Sequence, residues 1–418
     1  MDAFEKVIGY ERQKSIIKKI GYCLNHVEEL KAFGVKPPHG LLLYGRPGVG
    51  KTLMAECLIE SVKRPTFRCY HATKGHKFLE ELKNLFDAAK EGAPSLIFLD
   101  DMDKYSDGFF PDDEDTQEFS VLQSLINECK DLDVFVLATA NRIEKLPRSL
   151  YRNGRFDEKL AIESPTGMDA VKITEHYVSR YSTLDPEYDK GGFCDLVHGC
   201  SCADIETVIN NAAVYAVCDE RKVIQDDDLF RSALSNLYEI SESSKPEEKV
   251  TIAYHEAGHA VLSELLYPHS IAAVSIMGDG KTFSGKTIQI EGRTSGNVRD
   301  AENEIMVALG GTLGVEIGLG EDDLGGCADI ANAHDSIERL LLATGKYGLS
   351  QTGRNATNAR QHQNEIIGEA VIHRLSEKAR LLLVKNIGFL RAVAEELLAK
   401  EYLVSTDLRR IAATYKAA

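Results

Sequence analysis

The sequence predicts an α/β sandwich with a parallel sheet and a helical lid, followed by a second, mostly α-helical domain. Three observations carry that reading. Short apolar runs alternate with helical patterns over residues 1–164, as in a parallel sheet covered by helices. Residues 165–240 switch to helical patterns alone. Residues 241–249 lack large apolar side chains and read as a linker, after which helical periodicity dominates residues 250–418. A chain of 418 residues is also too long for one ordinary core.

Taken in order, the first domain opens with a helical pattern over 13–27 and reaches its first strand at Leu41-Leu42-Leu43-Tyr44. This strand runs straight into Gly45, Arg46, Pro47, Gly48, Val49, Gly50, Lys51 and Thr52, which fit G-x-x-x-x-G-K-T. Glycines let the backbone N–H groups turn inward around phosphate oxygens. Lys51 reaches the β- and γ-phosphates of ATP, and Thr52 offers a hydroxyl to Mg²⁺. The helix from Leu53 onward points its positive end at the same phosphates. Ser95–Leu99 is a second buried strand, and Asp100 at its end is placed to hold Mg²⁺ through water. Asp101 follows where a glutamate would reach one methylene further, so hydrolysis is expected to survive but to be slower. The runs 134–138 and 160–162 are further strands. Asn141, just past the first of them, is a candidate for orienting the attacking water. Arg152 and Arg155 precede the second and are candidates for γ-phosphate recognition in a neighbouring subunit.

Beyond the linker, His255-Glu256-Ala257-Gly258-His259 places two imidazoles one helical turn apart on one face. That spacing lets both reach one Zn²⁺, with Glu256 beside the metal as a base. Val250, Ala253, Ala257 and Val261 form one stripe, and Ile252, His255, His259, Leu262 and Leu266 another, so the helix is buried. Gly258 costs about 1 kcal/mol in a helix interior, so another element is expected to pack closely there. Two histidines leave a catalytic zinc one protein ligand short. Spacing does not choose among Glu264, Asp279, Asp322, Asp323 and Asp329. After this helix, which stops near Tyr267-Pro268, short strands are expected at 272–277 and 287–290. Helices are expected at 300–317, 329–343, 366–385 and 388–400, with a polar stretch at 350–363.

Composition narrows the partners. At 43% hydrophobic and 27% charged, the chain is globular, and no run of 18 apolar residues spans a membrane. A formal charge of −16 argues against a nucleic-acid binder. The N-terminal residues Met1 to Lys6 hold no signal-peptide core. The nine cysteines lack framework spacing and read as reduced thiols in the cytoplasm. Cys194, His198, Cys200 and Cys202 cluster, but read as helix packing rather than a second zinc site.

With these residues in hand, the chain resembles the FtsH family of AAA+ zinc metalloproteases from about Phe4 to Ile411. The P-loop, Asp100, the run Ala138-Thr139-Ala140-Asn141-Arg142, Arg152 and Arg155, and His255 to His259 fall in the family's order. The resemblance implies an α/β AAA+ P-loop ATPase (parallel sheet plus helical lid) followed by a mostly α-helical zinc metalloprotease domain. It implies a hexameric homo-oligomer with ATP sites between subunits, acting on protein substrates. Asn141 would be the sensor, Arg152 and Arg155 the arginine fingers acting in trans, and Asp329 the third zinc ligand. Family members usually begin with two transmembrane helices, which this chain lacks, so a cytoplasmic form is expected. The family's pore loop carries an aromatic residue. Here Lys74-Gly75-His76 falls at that place, with Tyr70 and Phe78 the nearest aromatics. The alternative function is a remodelling ATPase with weak or absent proteolysis.

Overall fold

The computed structural model describes residues 2–69, 76–105, 117–130, 132–151, 155–180, 183–243, 245–290, 297–323, 325–343 and 358–416. They form two compact units, one within Met1–Arg180 plus Gly199–Glu206, the other within Tyr181–His198 plus Thr207–Ala418.

The first unit is built on five parallel strands: β1 (Gly40–Tyr44), β2 (Thr66–Cys69), β3 (Ser95–Leu99), β4 (Val134–Ala140) and β5 (Glu158–Ala161), in the order β2-β3-β4-β1-β5. Leu41, Leu42 and Leu43 are fully buried, as expected of a strand covered on both faces. The helices are α1 (Glu11–Asn25), α2 (Val27–Ala32), α3 (Lys51–Ser61), α4 (His76–Glu91), α5 (Gln117–Glu128) and α6 (Gly167–Val178). In α4, Phe78, Leu82, Phe86 and Ala89 recur at helical spacing and are buried in one core with Ile97 and Leu99 of β3. The edge strand β2 had no sequence signal, because its residues are mostly half-buried and Arg68 pairs with Glu56 of α3. β3, β4 and β1 are neighbours, so the residues that follow their C-terminal ends come together.

Next in the chain come α7 (Lys190–Leu196), α8 (Cys202–Cys218) and α9 (Asp226–Tyr238). Apart from the start of α8, these expected lid helices group with the second unit. The expected linker is not featureless: β6 (Glu242–Ser243) pairs antiparallel with β8 (Met277–Gly278). The H-E-x-x-H helix is α10 (Lys249–Leu266), flanked by an antiparallel sheet of β7 (Ile271–Ser275), β9 (Lys286–Gln289) and β10 (Tyr402–Val404) in the order β10-β7-β9. Around α10 lie α11 (Val298–Ala308), α12 (Gly310–Leu319), α13 (Cys327–Ala343), α14 (Asn358–Lys385), α15 (Ile387–Lys400) and α16 (Ser405–Lys416). Val250, in the first turn of α10, is exposed, but Ala253, Ala257, Ala260, Val261 and Leu262 join the core with Leu390, Val393 and Leu397 of α15.

The single helix expected at 300–317 is two, α11 and α12, separated at Leu309. The reason is the glycine face of α12. A Cβ on Gly258 would lie 2.0 Å from the Gly310 carbonyl oxygen, and one on Gly314 would lie 2.4 Å from the Tyr254 carbonyl oxygen. The two helices therefore cross backbone to backbone, which accounts for the glycine inside α10. Gly258→Ala is expected to destabilise this unit by about 1–3 kcal/mol or more, read as a lower urea midpoint at unchanged slope.

The C-terminal pair β10 and α16 also had no sequence signal. Its polar side chains are occupied by α7 and α9: Ser405 donates to Asp195 at 2.7 Å, Arg409 pairs with Asp195, Thr406 donates to Asp189, and Tyr402 donates to Asp227 at 2.6 Å. The strand itself, Tyr402-Leu403-Val404, is buried but too short for a periodic pattern, and it is placed by its antiparallel pairing with β7.

Candidate nucleotide and metal sites

The nucleotide site forms where β1, β3 and β4 end. Gly50, with φ +94°, caps α3 in a left-handed conformation that favours glycine, and this turns the chain from loop to helix at Lys51. Lys51 Nζ is buried and donates to the carbonyls of Gly45 and Arg46 and to Asn141 Oδ1, at 2.8, 2.8 and 2.9 Å. Burial lowers its pKa, opposed by the charges of Asp101, Asp103 and Asp100. Asp100 Oδ1 accepts from Thr52 Oγ1 at 3.2 Å and from Thr139 Oγ1 at 2.6 Å. The Thr52 hydroxyl and the Asp100 carboxylate thus stand side by side, a pair of oxygen donors of the kind that suits Mg²⁺ with part of its water shell kept.

Asp101 takes φ +50° and is held on three sides. Its N–H donates to Thr139 Oγ1 at 2.8 Å, its carboxylate accepts from Asn141 Nδ2 at 3.0 Å, and Lys104 pairs with it at 2.5 Å. Asn141 thus bridges Lys51 and Asp101. Two residues the sequence reading assigned no role complete the frame: Thr139 links Asp100 to Asp101, and buried Asp103 accepts the Asn141 N–H at 2.7 Å. The signal was a third acidic residue two places after Asp101.

Arg155 is engaged within its own subunit, donating to Asn127 at 3.2 Å, to Gln123 at 2.9 Å and to the Ser149 carbonyl. Arg152 lies outside the described residues, as do Lys74, Gly75 and Tyr70. His76 opens α4. Phe78 does not stand in for a pore aromatic: it is 2% exposed and packs edge to face on Tyr105, with ring centroids 5.1 Å apart.

The second site opens on a cleft of about 840 Å³, lined among others by Ile252, Phe283, Thr287, Val307 and Asn332. His255 Nε2 and His259 Nε2 lie 3.0 Å apart, and Asp329 Oδ2 is 3.1 Å from the first and 3.4 Å from the second. Three ligands of a tetrahedral Zn²⁺ with bonds near 2.0–2.1 Å are about 3.4 Å from one another, so the set fits that ion. A Cβ on Gly311 would lie 2.4 Å from His255 Nε2 and 2.6 Å from His259 Nε2, so only glycine leaves that point clear. The electrostatics agree. Burial pushes the Asp329 carboxyl up, but both imidazoles bring it well below the usual carboxylate range.

Of the other candidates for the third position, Glu264 is buried and accepts the His269 N–H at 2.9 Å, while Asp279 closes a turn by accepting from Lys281, Thr282 and Phe283. Asp323 reaches His255 at Nδ1, the far edge of the ring, at 2.6 Å. His259 Nδ1 meets the Val307 carbonyl at 2.7 Å. Glu256 is 6% exposed and accepts from Thr287 Oγ1 at 2.8 Å. Burial raises its carboxyl pKa, against the pull of His259 and His255.

Comparison with known proteins bears on both sites. Residues 41–164 match the ATPase family associated with various cellular activities (AAA), and residues 242–375 match peptidase family M41. The chain is 27% identical to ATP-dependent zinc metalloprotease FtsH 4 of Synechocystis sp. over 98% of its length and 71% of the relative's. It is 28% identical to ATP-dependent zinc metalloprotease FtsH of Acaryochloris marina, covering 98% and 68%. With FtsH 2 of Thermoanaerobacter sp. the identity is 27%, covering 98% and 82%.

Fold and sites together define an AAA ATPase joined in one chain to an M41 metallopeptidase, the class that uses Zn²⁺, ATP and Mg²⁺. The chain carries the AAA and M41 domains together and is similar along nearly its whole length to FtsH-type ATP-dependent zinc metalloproteases. No helix among the described residues is long and apolar enough to cross a membrane.

Proposed function

We propose that the chain forms a homohexameric ring that uses ATP hydrolysis to unfold protein substrates and cleaves them at the His255–His259–Asp329 site. The observation that carries this reading is the convergence of three ligand atoms at 3.0–3.4 Å beside a buried carboxylate, in a chain that also carries a complete P-loop. His255, His259 and Asp329 hold Zn²⁺, which when bound polarises a peptide carbonyl and lowers the pKa of water to about 7. Glu256, steadied by Thr287, takes the proton of the attacking water and passes it to the leaving amine. The edge strand β9 lines the cleft through Lys286, Thr287 and Gln289, and its open side offers hydrogen bonds to an extended peptide.

In the nucleotide site, Gly45 to Leu53 cradle the triphosphate, with Thr52 and Asp100 holding Mg²⁺. Asp101 and Asn141 position the attacking water. Arg152 and Arg155 reach the neighbouring subunit's phosphates, Arg155 exchanging its bonds to Gln123 and Asn127 for that contact. The chain acts in the cytoplasm, a reducing compartment that suits nine cysteines without framework spacing. Its charge of −16 disfavours nucleic acid as a partner.

Release of peptides from a folded protein in the presence of ATP and zinc tests the reading. Peptides that appear only with both support it. ATP turnover and substrate unfolding without any cleavage would leave a remodelling ATPase instead.

A further inference from the structure

His255 is gripped by two carboxylates on opposite edges of its ring. Asp329 faces Nε2, on the side where His259 Nε2 also points. Asp323 faces Nδ1 at 2.6 Å, so it lies across the imidazole from the point where the ligand atoms meet and cannot join them. It is nonetheless built in. Its side chain is 8% exposed, and its other oxygen accepts the Gly325 N–H at 2.7 Å, which fixes the carboxylate against the ring.

We infer that Asp323 is a positioning residue for the metal centre: by accepting the Nδ1 proton it holds His255 in the tautomer and orientation that present the Nε2 lone pair to the metal. This rests on the assignment of His255, His259 and Asp329 as zinc ligands. The physical argument is that a neutral imidazole carries one proton, and the acceptor at one nitrogen decides which nitrogen is left to bind. A charged acceptor also makes the ring a better donor to a cation than a neutral one does. The two histidines differ in this respect: His259 Nδ1 faces the neutral Val307 carbonyl, His255 the Asp323 carboxylate. The stronger hold is thus placed on His255, which lies less deep in the core than His259.

The test is zinc competition against a chromogenic chelator on the full chain, for wild type, Asp323→Ala and Asp323→Asn. Asp323→Ala is expected to weaken zinc binding by about 10–100-fold. Asp323→Asn keeps an acceptor for the Nδ1 proton without the charge, and is expected to recover part of that loss. The visible absorption of the Co²⁺-loaded protein is expected to shift in Asp323→Ala, and the metal-free melting temperature to stay at the wild-type value. Wild-type zinc affinity in Asp323→Ala would overturn the role of Asp323 alone. A matching fall in metal-free melting temperature would reassign the residue to loop folding and overturn it as well. A wild-type protein that binds no zinc would overturn the zinc assignment itself.

Discussion

Glu256→Gln is expected to lower peptide-bond hydrolysis by about 10²–10⁴-fold, the range that a positioned general base contributes. The amide keeps the size of the side chain and its hydrogen bond with Thr287, but cannot take a proton. Because Glu256 is buried and is not among the three converging ligand groups, the variant is expected to bind zinc as wild type does and to fold normally. ATP turnover, which involves none of these residues, is expected to persist. Peptide release quantified beside zinc content and phosphate release checks all three. Equal peptide release by wild type and variant would remove Glu256 from the reaction.

The second large effect is at the other site. Lys51→Ala is expected to reduce ATP turnover by about 10²–10³-fold, the cost of losing one preorganised charge-stabilising donor. The lysine is buried, anchored by the carbonyls of Gly45 and Arg46, and bonded to Asn141, which in turn contacts Asp101. Its removal is therefore expected to deprive the phosphates of a cation and to free the Asn141 amide from one of its two side-chain partners. Degradation of a folded protein is expected to fall with ATP turnover, while cleavage of a short unstructured peptide, which needs no unfolding, is expected to continue. Parallel loss of both cleavage reactions would mean that the metal site depends on nucleotide for its own chemistry.

The two predictions concern features of very different legibility. G-x-x-x-x-G-K-T and H-E-x-x-H are local: their chemistry follows from backbone spacing within one turn or loop, so the residues name the site before any fold is known. Asp100 and Asn141 were legible for a related reason, because each ends an apolar run and strand ends of a parallel sheet point the same way. Asp103 and Thr139 belong to the same frame but took no role from sequence, since their contacts depend on β3 and β4 lying side by side.

Other features required the packed molecule. Phe78 looked available to grip a substrate, but helical spacing with Leu82 and Phe86 turns it into the core. The helix expected at 300–317 divides because Gly310 and Gly314 must press against α10, a demand made by a partner about 50 residues away. The strand β10 and helix α16 are held by acidic residues of α7 and α9, some 200 positions earlier in the chain.

The sequence by itself determined the two chemistries, nucleotide binding and zinc-type hydrolysis, because both reside in short segments whose geometry is set by local backbone structure. What only the tertiary structure decided is how the second site is completed. Five carboxylates were within reach on spacing alone. Folding of α10, α12 and α13 about one glycine-lined crossing brings Asp329 to the Nε2 side of His255 and Asp323 to its Nδ1 side. Asp323 and Asp329, six positions apart, differ in which edge of one imidazole they meet, and spacing along the chain does not encode that.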